Sequence, residues 1–336
     1  MATIKDVARR AGVAVSTASA AINRSAPVSE DVIAKVEAAV REIGYVPHMA
    51  ARSLRMGQSQ LIGLIVPDIT NPHFAKVAKV VESVALEAGY MAAVYSTSED
   101  YDRERQILEM MRLQRVAGLI IIPTRSDIEH GTRLGQQIHV PTVLLDSYVE
   151  GLPYDVVKLD NITAGRLATE HLIGLGHRRI AVTRGRANII TGEDRLRGYL
   201  AAHEAHGLEV EERLLIEGRF DQGVAHDAVL RLMEGPNPPT AIFALSNMMM
   251  LGVLNALREL NISVPGDVSV VGIDDFDFAN IMSPPPTVVA APVEAMAQRA
   301  IDSLFGQIRS KAEPTGEVEL FAPRLVVRAS TGPLGD

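Results

Sequence analysis

From residue 61 onward, short apolar runs rich in β-branched residues alternate with segments of helical periodicity, and this alternation occurs twice in succession. The first series of strand-like runs is LIGLIVPD (61–68), MAAVYST (91–97), GLIIIP (118–123), TVLLD (142–146) and DVVKLD (155–160). The second series is RIAVTRG (179–185), LLIEGRF (214–220), TAIFAL (240–245) and VSVVGID (268–274). Runs that are apolar throughout indicate parallel strands with helices on both faces. The pattern therefore predicts an α/β fold with two doubly wound parallel-sheet lobes.

The two predicted sheets imply a ligand cleft, because ligands of such sheets bind beyond the carboxyl ends of the strands. We expect a first lobe of about 61–160 plus 290–320 and a second lobe of about 162–288 plus 322–332. The breaker run SPPPT (283–287) is interpreted as a crossover between the lobes.

The first 47 residues differ in kind, since they predict three short helices and no strand. Thr3 and Asp6 have the spacing of a capping box, and Ser29 is predicted to cap the third helix. Ala8 lies four residues before Gly12, which is the spacing of a helix-turn-helix: a small residue lets the second helix cross closely, and glycine turns the chain sharply. That spacing alone also fits an ordinary three-helix bundle.

Charge is unevenly distributed along the chain. Residues 1–60 carry eight Lys/Arg and five Asp/Glu, whereas residues 61–336 carry 25 and 36. A mildly basic head suits contact with phosphates, and an acidic body does not. The chain contains no cysteine, and its first residues lack the apolar core of a signal peptide, so we expect a cytoplasmic protein without a membrane partner.

Several segments together resemble the lactose-repressor (LacI/GalR) family of transcription regulators, in order and at the spacing of the family. They are TIKDVARRAGVAVSTASAAIN (3–23), IGYVPHMAARSLRMGQSQLIGLIVPDITNPHF (43–74), LGHRRIAV (175–182), PGDVSVVGIDD (265–275) and RLVVRAST (324–331). The resemblance implies a helix-turn-helix domain over 1–47, a hinge helix and linker over 48–60, and an effector-binding domain over 61–336. It implies a sequence-specific repressor under allosteric control by a small polar effector.

By this resemblance, the second helix reads operator bases and the hinge helix enters the minor groove, with Leu54 as the wedge between base pairs. The family usually has a large polar residue, often arginine, where this chain has Ala20. We therefore expect Val15 to touch a thymine methyl group and Ser16 to supply a hydrogen bond. The predicted DNA contacts are Thr3, Val15, Ser16, Thr17, Ser19, Ala20, Asn23, Arg24, Ala51, Arg52, Leu54 and Arg55.

The resemblance places effector contacts near the strand ends. They are His73, Phe74, Asp146, Ile189, Thr191, Arg195, Phe220, Asn247 and Asp274. Carboxylates, an amide and a guanidinium suit a hydroxyl-rich ligand, and phenylalanine supplies a flat apolar face. Ile189 stands where purine-responsive members of the family have arginine, which favours a sugar or sugar derivative over a nucleobase. We identify no metal site, no cofactor and no catalytic residue.

The partners implied by the resemblance are a pseudo-palindromic double-stranded operator, a small-molecule effector and a second copy of the chain. The apolar side of the helix from His73 to Gly89 is the candidate dimer seam. The sequence ends at STGPLGD without a heptad extension, so we expect no tetramer built by an appended helix. Two other protein classes share such a body: periplasmic solute-binding proteins and α/β enzymes. The head and the missing signal peptide argue against the first, and the lack of a recognisable nucleophile, base and orienting group argues against the second.

Overall fold

The structure is a computed structural model that describes residues 2–24, 26–45, 59–311 and 314–335. The chain divides into two compact units, Met1–Ser59 and Gln60–Asp336. Across the described ranges, no helix is both long enough and apolar enough to cross a membrane.

The described part of the first unit, residues 2–24 and 26–45, folds as the predicted all-α head. It contains α1 (Ile4–Ala11), α2 (Val15–Asn23) and α3 (Glu30–Ile43). Their shared core is made of small and β-branched side chains, and it consists of Val7, Ala8, Ala18, Ala21, Val36 and Ala39. Small residues on α1 and α2 let these two helices pack closely, as the helix-turn-helix spacing requires.

Both ends of α1 are built as the sequence predicts. The Asp6 carboxylate accepts hydrogen bonds from the backbone N–H of Thr3 at 2.9 Å and from its hydroxyl at 2.7 Å. Gly12 ends α1 with a φ of 68°, and the N–H of Val13 donates to the carbonyl of Ala8 at 3.0 Å. Ser29 occupies the N-cap position of α3, as predicted, but its side chain makes no capping hydrogen bond. The acidic side chains that follow it in the first turn of α3 interact favourably with the helix dipole.

Two six-stranded sheets form the second unit, one in each lobe. The first sheet contains β1 (Leu61–Val66), β2 (Met91–Ser96), β3 (Gly118–Ile121), β4 (Thr142–Leu145), β5 (Asp155–Leu159) and β11 (Val318–Phe321). Its order is β11-β5-β4-β3-β1-β2, and every neighbouring pair is parallel. The predicted parallel sheet of the first lobe is therefore confirmed.

The second sheet contains β6 (Ile180–Arg184), β7 (Leu215–Glu217), β8 (Ala241–Ala244), β9 (Ser269–Ile273), β10 (Thr287–Ala290) and β12 (Arg324–Val326). Its order is β12-β10-β9-β8-β6-β7. The pairs are parallel except that β12 runs antiparallel to β10 at one edge. The alternation thus predicts the sheet correctly but not the direction of its last strand.

Helices cover both faces of each sheet. Those of the first lobe are α4 (Pro72–Glu87), α5 (Tyr101–Leu113), α6 (Ile128–Gln137) and α11 (Val293–Ser310). Those of the second lobe are α7 (Asn161–Gly174), α8 (Ile190–Ala205), α9 (Gln222–Met233) and α10 (Asn247–Glu259). Successive side chains of β1 point to opposite faces of the sheet. Leu64 packs in the core that includes Val77 of α4, and Ile65 packs in the core that includes Met111 of α5.

Within the described ranges, the chain passes between the lobes three times: after β5, after β10 and after β11. The interpretation of SPPPT (283–287) as a crossover is therefore wrong. This run lies between β9 and β10, which pair in parallel within the second sheet. Its prolines belong to the return connection that a parallel pair requires, and the breaker pattern alone does not distinguish such a return from a crossover.

Candidate effector cleft and DNA-reading surface

A cleft opens between the two lobes at the carboxyl ends of the strands. Eight of the nine predicted effector residues line it: His73, Phe74, Asp146, Ile189, Thr191, Arg195, Phe220 and Asp274. They come from loops and helix starts that are far apart in sequence but follow neighbouring strands. The structure thus brings the predicted residues together, and their role in binding remains a prediction.

Asp146 and Asp274 occupy equivalent positions in the two lobes. Each is the first residue after a central strand, β4 and β9 respectively, and both have left-handed backbones, with φ of 64° and 72°. Such a conformation is strained for a residue with a side chain and concentrates at functional sites. The two carboxylates enter the cleft from opposite sides.

His73 lies between these two carboxylates. Its Nε2 is 3.6 Å from Asp146 Oδ1 and its Nδ1 is 3.3 Å from Asp274 Oδ1. All three side chains are buried, at 5%, 8% and 6% exposure for His73, Asp146 and Asp274. Burial alone lowers the pKa of His73, but the carboxylates of Asp274 and Asp146 outweigh it and raise the pKa to about 10. Burial raises the pKa of Asp274, while the charges of His73 and Arg195 hold it below its usual value.

Arg195 is held rigidly in the second lobe. Its Nε donates to Asn161 Oδ1 at 2.8 Å, and its Nη1 donates to the carbonyl oxygen of Leu245 at 2.6 Å. The residue is buried, so the guanidinium enters the cleft with its orientation already determined. Such a group is suited to hydrogen-bonding an oxygen-rich ligand without further ordering.

Two glycines leave space for the Phe220 ring to lie against the wall of the cleft. The ring of Phe220 lies so close to Gly185 and Gly192 that a Cβ on either would come within 2.5 or 2.9 Å of its Cζ atom. Phe74 lies on the first-lobe side of the cleft, with its ring edge-to-face with the His73 imidazole. The cleft therefore combines flat apolar surfaces with buried polar groups, as small-molecule sites usually do.

Asn247 is the predicted effector residue that does not line the cleft. Its side-chain amide exchanges two hydrogen bonds with that of Asn71, at 2.8 and 3.2 Å. Asn71 precedes α4 in the first lobe and Asn247 begins α10 in the second, so this pair joins the lobes. The structure thus places Asn247 in an interlobe contact.

Further polar residues line the cleft that were not predicted from the sequence. They are Asp68, Asn71, Glu99, Thr124, Ser147 and Ser246. Each follows the end of a strand, and that position is the signal that could have identified them. Glu99 also forms an ion pair with Arg186 of the second lobe. Burial raises the pKa of Glu99, and the Arg186 charge opposes that rise.

The start of α2 carries the exposed part of the predicted DNA-reading surface. Val15 and Ser16 are exposed there, Thr17, Ser19 and Ala20 are partly buried, and the opposite side of the helix contributes to the core. An exposed valine at the start of a recognition helix is available to contact a base edge.

The remaining predicted DNA contacts in the head surround this helix. Thr3 and Arg24 are exposed, although the Thr3 hydroxyl already donates to Asp6. The amide of Asn23 donates to the carbonyl of Ser19 at 2.8 Å. The predicted hinge contacts are outside the described residues: Ala51, Arg52, Leu54 and Arg55.

The predicted dimer seam on α4 is already used inside its own lobe. Val77, Val81 and Ala85 form its apolar side, and all three are buried in the core that α11 and the first sheet share. Because a buried side chain cannot also contact a second subunit, these three residues cannot form the predicted seam, although the same helix still exposes Leu86, at 65%. A short 3₁₀ helix, Ala279–Ile281, presents an isoleucine side chain that is 85% exposed.

Comparison with known proteins agrees with this architecture. Residues 3–48 match the family model for bacterial regulatory proteins of the lacI family, and residues 169–331 match that for a periplasmic binding protein-like domain. The chain is 35% identical over 330 residues to the ribose operon repressor of Escherichia coli (strain K12), which covers 98% of this chain and 100% of that protein. It is 33% identical over 330 residues to the HTH-type transcriptional repressor PurR of Vibrio atlanticus (strain LGP32), with 98% of each chain covered.

A solved structure extends the likeness to the fold. The lac repressor dimer bound to operator and the anti-inducer ONPF matches with a TM-score of 0.87 and 26% identity, over 98% of this chain and 99% of that one. The helix-turn-helix head, the two-lobed body and the relatives aligned over nearly the whole length agree. This chain therefore belongs to the lacI family of bacterial regulatory proteins.

Proposed function

We propose that this protein is a dimeric repressor whose affinity for a pseudo-palindromic operator is controlled by a neutral, hydroxyl-rich effector, a sugar or sugar derivative, bound in the cleft. The observation that carries the proposal is a set of buried polar atoms without a hydrogen-bond partner among the described residues: His73 Nδ1, Asp146 Oδ1 and Asp274 Oδ1. Buried polar atoms are rarely left unpaired in folded proteins. Ligand hydroxyl groups would supply the missing partners.

The charge of the cleft favours a neutral ligand. Around His73, the carboxylates of Asp146 and Asp274 are matched in charge by Arg195 and the protonated His73. The lining also contains Glu99, which pairs with Arg186, and Asp68, which accepts hydrogen bonds from Thr70. A charged ligand held at the inner set of His73, Asp146, Asp274 and Arg195 would lack a counter-charge there. Phosphorylated sugars and carboxylates are disfavoured for the same reason.

The size of the cleft favours a small ligand. Its cavity volume is about 80 Å³. On this measure a water molecule needs about 10–15 Å³, so the cavity holds about six waters. That space suits one sugar ring better than a disaccharide.

The relatives support a regulator that responds to a sugar. One relative is named a ribose operon repressor, and the matched lac repressor structure holds the anti-inducer ONPF together with operator. Relatives that cover the whole chain are repressors, which supports regulation over catalysis.

Contacts between the lobes suggest how a ligand changes the protein. Besides the Asn71–Asn247 pair, Lys76 Nζ lies 2.8 Å from Asp277 Oδ1 across the cleft. An effector that touches both lobes alters the free energy of their closure, and in a dimer this alters how the two hinge segments can pair on DNA. The coupling is reciprocal, so operator binding must change effector affinity by the same factor.

The proposal is tested by selecting genomic fragments with the purified full-length protein in the presence of excess bulk competitor DNA. We expect enrichment of a few fragments that contain inverted repeats, and no enrichment with a chain that lacks residues 1–57. A thermal-shift screen of sugars and polyols then identifies the effector, because a ligand of the folded state raises its melting temperature. If no fragment is enriched, with or without metabolite extract, the proposal is wrong.

We expect the Ile281→Asp substitution to weaken the dimer. Ile281 is 85% exposed and Phe278, three residues before it, is 43% exposed, so this segment presents an apolar patch that a second copy would bury. A carboxylate at position 281 would have to be desolvated in that interface. Sedimentation at micromolar concentration should show monomers, and operator affinity should fall by roughly 100-fold because two linked heads bind more tightly than one.

The matched control for this substitution is Ile128→Asp, at a residue of α6 that is 63% exposed. This variant should remain dimeric. If Ile281→Asp sediments as the wild type does, the seam does not include the 3₁₀ helix.

A further inference from the structure

We propose that His73 is a specificity-determining residue of the effector cleft: its imidazolium supplies the positive charge that the two buried carboxylates require, so the cleft accepts a neutral polyol and rejects an amino sugar. The inference rests on the proposed function. His73 would then have two roles. It contacts the ligand, and its positive charge excludes ligands that carry an ammonium group.

His73 lies at the boundary between the two lobes. It lies in the first turn of α4, in the first lobe, and it faces Asp146 of the same lobe and Asp274 of the other. A helix N-terminus disfavours a positive charge, so the protonated state of His73 depends on these carboxylates. Arg195 is the other charged group that acts on Asp274.

His73, Asp146 and Asp274 have polar atoms that make no hydrogen bond among the described residues. The imidazole lies at ion-pair distance from both carboxylates, at 3.3 and 3.6 Å. Nevertheless Asp146 Oδ1 and Asp274 Oδ1 lack a hydrogen-bond donor among the described residues. His73 therefore offsets the negative charge of the two carboxylates, but their Oδ1 atoms still lack a hydrogen-bond donor. Neutral hydroxyl groups would donate the missing hydrogen bonds, whereas an ammonium group would bring a further cation to a site that already holds His73 and Arg195.

Removing the imidazolium changes the net charge of the cleft. In a His73→Gln variant, Asp146 and Asp274 keep only Arg195 as a cation in the inner set, so the cleft gains one net negative charge. A ligand amine could then occupy the place of the imidazolium. In the double variant His73→Gln/Asp274→Asn the charges balance again, and the preference for a neutral ligand should return.

One measurement needs no effector. In the full-length protein with isotope-labelled histidine, NMR should show the His73 ring protonated at both nitrogens throughout the neutral pH range, because the carboxylates raise its pKa to about 10. Its signal is assigned by its absence in His73→Gln. If that variant does not fold, Asp274→Asn assigns it instead, since loss of one carboxylate should lower the His73 pKa. A neutral His73 ring at pH of about 7.5, where an ordinary histidine has lost its proton, would overturn the proposal.

The second measurement compares neutral and amino sugars in matched pairs: glucose with glucosamine, galactose with galactosamine, and ribose with 2-amino-2-deoxyribose. Calorimetry is performed at about pH 6.5, where a sugar amine carries its proton. The wild type should favour the neutral member of the pair it binds by about tenfold or more, and His73→Gln should favour the amino member.

His226→Gln is the matched control, because His226 also lies between two carboxylates, Asp227 and Glu259, but outside the cleft lining. It should bind sugars as the wild type does. A wild type that binds no neutral sugar contradicts the proposed sugar effector alone, and the NMR result and the response of His73→Gln to amines then decide the present inference. The inference is overturned if His73→Gln gains no affinity for any amino sugar.

Discussion

A Gly165→Ala substitution should destabilise the second lobe by about 3 kcal/mol or more, because overpacking that meets backbone exceeds the usual cost of an added methyl group. A Cβ at Gly165 of α7 would lie 2.0 Å from the carbonyl oxygen of Arg195 in α8. Gly198 of α8 makes the reciprocal approach, since its Cβ would lie 2.1 Å from the carbonyl oxygen of Ile162. Backbone atoms on both sides leave no flexible side chain to move away, so the two helices must separate.

The measurement is chemical denaturation followed by circular dichroism in the far ultraviolet. Gly174→Ala is the matched control: it lies in the same helix, and a Cβ there would meet no atom within 4 Å. That variant should be neutral or more stable by up to about 1 kcal/mol, because alanine favours helix over glycine. Equal unfolding midpoints for the two variants would show that α7 and α8 are not packed as described. Because this contact also positions Arg195, Gly165→Ala should weaken effector binding wherever the protein remains folded.

An Arg195→Gln substitution should abolish the effector response. The guanidinium is buried, is oriented by Asn161 and the Leu245 carbonyl, and neutralises part of the charge of Asp274. Removing a buried charged group leaves its hydrogen-bond partners unpaired and costs about 3 kcal/mol, which corresponds to a loss of effector affinity of roughly 100-fold. The measurement is calorimetry with the effector that the thermal-shift screen identifies.

Arg197→Gln is the control for this substitution. Arg197 lies on the same helix, but its side chain is 59% exposed and lies outside the cleft lining. It pairs with the buried Asp194, which keeps Lys158 as a second partner when Arg197 is removed. The substitution should therefore change effector affinity by less than about threefold. Both variants should still bind operator if the heads and the dimer are intact. An Arg195→Gln protein that responds to effector as the wild type does would remove this residue from the binding site.

The α/β body and the helical head could both be predicted from local patterns. Apolar runs such as LIGLIV indicate strands that are buried on both faces, and the resemblance to the lacI family indicated Asp146 and Asp274, at strand ends, as cleft residues. Periodicity does not say what covers an apolar face. The apolar side of α4 was therefore predicted to be a dimer seam, although α11, which comes more than 200 residues later, packs against it.

Local residue types on their own determine the strands, the helices and the side chains at strand ends, because these depend on the spacing of neighbours along the chain. They do not determine pairings between distant segments. His73, Asp146 and Asp274 meet only when the two lobes close on each other, and Asn247 meets Asn71 in the same way. The positive charge of His73 depends on its contact with these two carboxylates, since burial without them would leave the ring neutral. The proposed preference for a neutral ligand depends on the same contact.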